Sequence, residues 1–277
     1  MTESTRTITE IGFNLSYLIF IWGLVVKMLS SLKCTVDSQK PLARRFAYGF
    51  FLLALGDTGH VGFRVWAFAR GGLEATVDVG GVTLPLVGAG ALATAVTVTF
   101  LYMLLLDVWR LRYEKTRTPI YWLLMGTGVV RFAIMAFPQN QWHATVPPWD
   151  WSVARNLPLV VQGMGLAVIL LVDARRVNDA FGRYLGYCIL VSYAFYLPVI
   201  LLVQKVPLLG MLMIPKTVAY LVMAVLAWRW LFKPAADRPG LGKEDGHDAT
   251  VRRAYGRYQA SFSGAARRST SVSCSVS

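Results

Sequence analysis

The sequence predicts an all-α integral membrane protein: a seven-transmembrane, up-and-down helix bundle with its N-terminus outside and its C-terminus in the cytoplasm. Three observations carry this: an apolar composition, seven apolar stretches of spanning length, and a lopsided distribution of lysine and arginine. Of 277 residues, 55% are hydrophobic and only 16% charged, and mean hydropathy is +0.49. Soluble domains carry about 25% charged residues, so this composition excludes a soluble enzyme, a disordered chain and a disulfide-stapled secreted module. Cys34, Cys188 and Cys274 are scattered along the chain and form neither a disulfide framework nor a clustered thiolate metal site.

A hydrocarbon core about 30 Å thick takes about 20 mostly apolar residues per helix. Such stretches cover approximately 11–32, 46–68, 86–109, 119–137, 156–174, 184–204 and 207–231. The first is flanked by Glu3 and Glu10 and lacks a small-residue cleavage site, so it reads as a span and not a removable signal peptide. Lysine and arginine set the orientation. One set of connections collects Lys33, Lys40, Arg44 and Arg45, then Arg110, Arg112, Lys115 and Arg117, then Arg175, Arg176 and Arg183, and Arg229 and the tail extend it. The other side holds Arg6, Arg70, Arg155 and Lys205. The net charge of +13 therefore reads as topology, with the cell membrane bilayer as partner and no nucleic-acid surface. Trp142, Trp149 and Trp151, in the loop after the fourth span, fit an interfacial aromatic belt.

Residues 1–232 form the membrane domain in this reading. Residues 233–277, rich in Ser, Gly and Arg, contain nothing that could build a core and read as a disordered basic cytoplasmic tail. The final Cys274, Ser275, Val276 and Ser277 match the prenylation pattern, and Arg267, Arg268, Ser269 and Thr270 resemble a basic-directed kinase site. Both short matches are compatible with chance, and a seven-span bundle needs no lipid anchor.

The chemistry lies with ionisable residues inside the spans. Each costs roughly 2.5 to 3.5 kcal/mol at mid-membrane, so each needs a partner, a wet cavity or a function. Lys27 sits near the cytoplasmic end of its helix and can snorkel to the interface. The second span carries Gly56, Asp57, Thr58, Gly59, His60, Val61, Gly62, Phe63 and Arg64. At about 100° per residue, His60 and Arg64 lie within about 60° of Asp57, a single stripe facing the bundle interior. Gly56, Gly59 and Gly62 would admit a ligand or simply a neighbouring backbone. On the seventh span, Lys216 falls near the depth of Asp57 and His60, and a salt bridge to Asp57 is the simplest satisfaction of both charges. The adjoining Pro215 should free a carbonyl one turn earlier.

Further polar groups fall in the same outer half: Arg131, Gln139, Asn140, Arg155, Asn156, Gln162, Tyr193 and Tyr196, with Thr94 and Thr97 on one face of the third span. Singly, each tyrosine or threonine could be packing or backbone bonding. Together they imply a polar pocket opening outward. Arg64, Arg131 and Lys216 outnumber Asp57, which favours an anionic or carboxylate-bearing ligand.

A membrane metallohydrolase needs about three histidines and an acid around zinc. Only His60 and His143 belong to the membrane domain, too few for that or for bis-histidine haem. Lys216 on the last helix, with Tyr196, Leu197, Pro198 and Val199 on the sixth, resembles the microbial rhodopsins, which implies retinal on Lys216. The third helix offers only Asp107 as a carboxylate and the seventh none, so Asp57 would have to serve as counterion. Taken whole, the motif from Gly56 to Arg64, the Phe137, Pro138, Gln139, Asn140 segment, the Arg155, Asn156, Leu157, Pro158 opening and the run from Met211 to Thr217 resemble an uncharacterised family of bacterial seven-helix integral membrane proteins. That resemblance implies the fold and no activity or cofactor.

Three functional expectations follow. The first is a sensor or carrier that binds a small anionic or amphipathic ligand in an outward-facing pocket lined by Asp57, His60, Arg64, Arg131 and Lys216. The second is a membrane-embedded enzyme acting on a lipid or isoprenoid substrate, with Asp57 as acid or base. In the third, a scaffold, the charges merely pair with one another.

Overall fold

The computed structural model describes residues 3–35, 37, 39–144 and 146–232. The tail from 233 onward, with its prenylation and kinase matches, lies outside the described residues. Seven long helices follow in order: α1 (Glu3–Ser31), α2 (Lys40–Ala69), α3 (Leu86–Arg112), α4 (Pro119–Ala136), α5 (Trp149–Arg176), α6 (Ala180–Leu202) and α7 (Met213–Ala227). Six helical segments are long and apolar enough to cross a membrane, which makes this a multi-pass membrane architecture; α2 is not among them. Its 30 residues would reach about 45 Å, but the Asp57, His60 and Arg64 stripe and its glycines dilute its hydropathy.

Each helix packs on the next in sequence, and α7 returns to touch α1 and α2, which closes the ring. The core is a continuous apolar cluster that includes Ile21, Met28, Phe46, Phe50, Leu101, Leu185 and Met223, all at 2% exposure or less. Gly56 and Gly59 serve the α2–α3 seam: a side chain at Gly56 would collide with Thr97, one at Gly59 would meet Ala93, and Gly62 has open space beside it. The first two glycines therefore bring helices together.

Between α2 and α3 the chain forms an antiparallel hairpin, β1 (Thr76–Val79) paired with β2 (Val82–Pro85). Its two-residue turn, Gly80 and Gly81, has positive φ at both positions, the conformation that tight hairpins require and that glycine adopts without strain. The hairpin shares its end of the bundle with the 137–148 loop and the 3-10 turn Pro207–Leu212 that precedes α7.

The opposite end holds the basic connections, and carboxylates tie them down. Arg112 grips Asp179 through Nε at 2.6 Å and Nη2 at 2.8 Å, and the Tyr113 hydroxyl donates to the same carboxylate at 2.8 Å. Burial alone would raise the Asp179 carboxyl, but Arg112 and Tyr113 hold it below the ordinary carboxylate value. Asp173 accepts from Trp109 and Lys115, and Asp107 from Arg45 and Arg110. These contacts staple α2, α3, α5 and the connections around them at that end. Lys27 places its ammonium 5.7 Å from the Trp228 ring.

Candidate functional site

The half of the bundle away from the basic loops encloses a cavity of about 480 Å³ that every helix helps to line, within the range of small-molecule sites. On α2, Leu53, Asp57, His60, Val61 and Arg64 face it at helical spacing. The stripe is thus continuous with the cavity, although Arg64 at its end is exposed.

Asp57 is held from α1. The Tyr17 hydroxyl donates to its Oδ2 at 2.7 Å. Across the seam, Thr94 donates to the Gly56 carbonyl at 2.9 Å. The expected salt bridge to Lys216 is absent: no acid comes within ion-pair distance of Lys216 among the described residues. Its ammonium instead sits 3.9 Å from the Tyr196 ring centroid and 5.7 Å from that of Tyr220, close enough for cation–π attraction.

Arg131 is the deepest cation, 2% exposed. Its guanidinium donates to the Arg155 carbonyl at 2.9 Å, the Ala95 carbonyl at 3.2 Å, the Thr99 hydroxyl at 2.7 Å and Asn156 Oδ1 at 3.3 Å. All four acceptors are neutral, so its hydrogen bonds are met while its charge is not. Asn156 Oδ1 also accepts from the Tyr196 hydroxyl at 2.9 Å, which links Arg131 to the aromatic ring beneath Lys216.

Arg155, assigned by sequence to an outer loop, stands in the second turn of α5, because that helix starts at Trp149. It lies 4.6 Å from the Trp142 ring centroid and makes one long hydrogen bond, 3.4 Å, to Asn140 Oδ1. Trp142 also lines the cavity. Its indole donates to the Met135 carbonyl. Pro215 falls in the first turn of α7, where its missing N–H breaks no bond of the helix itself, so the expected mid-helix interruption does not arise.

Of the sequence-derived candidates, Asp57, His60, Arg64, Arg131, Arg155, Asn156, Tyr196 and Lys216 line one cavity, as does Thr94. Gln139, Asn140 and Tyr193 do not line it. Gln139 is exposed. Asn140 caps the end of α4 by donating to the Ile134 and Phe137 carbonyls, and Tyr193 donates to the Leu159 carbonyl inside the α5–α6 contact. Thr97 bonds its own helix backbone, and Gln162 is buried with both amide atoms unpartnered among the described residues. Tyr17 and Tyr220 join the site without a sequence signal, since each is one aromatic among many in apolar helices, and Trp142 joins it from the loop after α4.

Among the described residues, four cations and one carboxylate line the cavity, and His60 adds a buried Nδ1 with no hydrogen-bond partner among them. Among the described residues no group of three or more His, Cys, Asp or Glu side chains gathers where it could hold a metal ion. The arrangement offers anion-binding donors on one wall, a hydrogen-bonded carboxylate on another, and apolar surface between them. No protein-family model, curated protein or solved structure matches this chain.

Proposed function

We propose that this protein binds a small anionic or amphipathic ligand in its intramembrane cavity, as a sensor or carrier. In this reading α2 is a seventh span, packed against α1, α3 and α7. The basic end faces the cytoplasm by the lysine and arginine rule, which puts the N-terminus and the cavity mouth on the outer face of the cell membrane. The observation that carries the proposal is the charge imbalance: Arg131 and Lys216 line the cavity with no acid paired to either, and the single lining carboxylate is engaged by Tyr17. A scaffold would close Asp57 and Lys216 into an ion pair; among the described residues no salt bridge joins them.

An enzyme acting on a lipid or isoprenoid substrate is the second reading. One observation favours it: the unpartnered His60 Nδ1 lies one helical turn from Asp57 in the same cavity, a pair able to exchange protons with a substrate. The test of ligand binding is native mass spectrometry of protein purified without added lipid, comparing wild type with an Asp57→Asn, Lys216→Met double variant. A small-molecule adduct in the wild type that the variant loses supports the site, and equal adducts in both refute it.

A further inference from the structure

Resting on that reading, we propose that the ligand is a phosphate monoester on an apolar chain, its phosphate held between Lys216 and Arg155. These two cations have donors to spare. Lys216 makes no hydrogen bond among the described residues and meets only the Tyr196 and Tyr220 rings, and Arg155 makes one long bond to a side-chain acceptor. Arg131, with four of its five N–H donors already engaged, adds charge to the same cavity. Arg64 stands on the α2 wall of the same cavity.

The headgroup follows from charge and donor number. A carboxylate brings one negative charge and would leave most of this surplus unmet. A phosphate monoester brings about −1.5 to −2 at neutral pH and three strong acceptor oxygens. Lysine meets such a group as a point charge and arginine as a planar fork. The body follows from the rest of the lining: Leu53, Val98, Val199, Ile200, Met211 and Ile214 present apolar surface, which inorganic phosphate would leave wet and an alkyl or isoprenoid chain would cover.

The experiment uses the full chain in lipid nanodiscs, with empty nanodiscs as the partition control, and measures binding of dodecyl phosphate, dodecanoate, dodecanol and inorganic phosphate calorimetrically. Dodecyl phosphate should bind at least about tenfold more tightly than dodecanoate, and Lys216→Met and Arg155→Gln should each weaken it by about tenfold or more. Lys216→Arg, which keeps the charge, should retain most of the affinity, and thermal unfolding of each variant verifies that it is folded. Equal or tighter binding of dodecanoate overturns the phosphate assignment and leaves the anion site standing. Inorganic phosphate binding as tightly as dodecyl phosphate overturns the apolar chain. If no anion binds better than dodecanol, the phosphate assignment and the anion-site reading fall together.

Discussion

The Tyr17 hydroxyl donates to Asp57 Oδ2 across 2.7 Å, joining α1 to α2. The bond holds the one carboxylate that lines the cavity among the described residues, and on the proposed reading it orients that acid relative to the cations.

Tyr17→Phe should therefore do more than loosen a helix contact. Loss of a hydrogen bond to a charged group costs roughly 1.5 to 3 kcal/mol, read as a lower midpoint of thermal unfolding in detergent. The released carboxylate can then turn toward Lys216, so anion affinity should fall as well. A variant that loses stability but keeps full anion affinity would show that Tyr17 only packs.

Arg131 ties α3, α4 and α5 together through four neutral acceptors. Replacing it with Met strands some of them, at about 1 to 3 kcal/mol for each buried group left unpaired. Lysine cannot reproduce the planar fork, so Arg131→Lys should destabilise nearly as much. Thermal unfolding of the two variants side by side checks this, and full stability of the lysine variant would contradict the assigned geometry.

At the other end, the Arg112–Asp179 pair makes acid stability predictable. Asp179 has its carboxyl lowered in the fold, so its contribution is fully present above the unfolded value, about 3.9, and is lost as pH falls through the folded value. Thermal stability should hold from neutral pH down to about pH 5 and decline below about pH 4. Asp179→Asn should cost roughly 3 to 5 kcal/mol at neutral pH, since it leaves the guanidinium without its buried partner, and should make the acid decline shallower. An unchanged midpoint at pH 7 would show the pair to be inert.

Orientation can be read by thiol labelling of intact cells. Cys34 lies exposed in the connection between α1 and α2, and Glu74 is exposed just before the hairpin at the far end of α2. In a background with Cys188 and Cys274 replaced by serine, a membrane-impermeant maleimide should label Cys34 only after permeabilisation. Glu74→Cys, with Cys34 also removed, should label without it. Equal labelling of both in intact cells would mean that α2 does not cross.

The sequence made the helices legible because a bilayer imposes length and hydropathy on each span independently of the others. It also marked Asp57, His60, Lys216 and Arg131, because an ionisable residue in an apolar run stands out alone. Pairing was not legible. Which donor Asp57 accepts from depends on how α1 lies against α2, and Tyr17 is indistinguishable in sequence from the other tyrosines of the apolar helices. Arg155 was placed in a loop because its neighbours Trp149 to Ser152 carry too little hydropathy to show where α5 begins. Asn140 looked like a site residue because it is polar near a helix end, which is equally the signature of a cap. The hairpin escaped notice because four-residue strands set between two long helices leave little periodicity to detect.

The central claim is that unbalanced positive charge in the cavity selects its ligand. The direct measurement is binding of the fluorescent fatty acid 11-(dansylamino)undecanoic acid, compared with its uncharged methyl ester, in protein-loaded and empty nanodiscs. The acid should bind roughly 10 to 100 times more tightly than the ester, the worth of one charged hydrogen-bonded contact, and Lys216→Met should erase most of that difference. Equal affinity for acid and ester in the wild type would contradict the account.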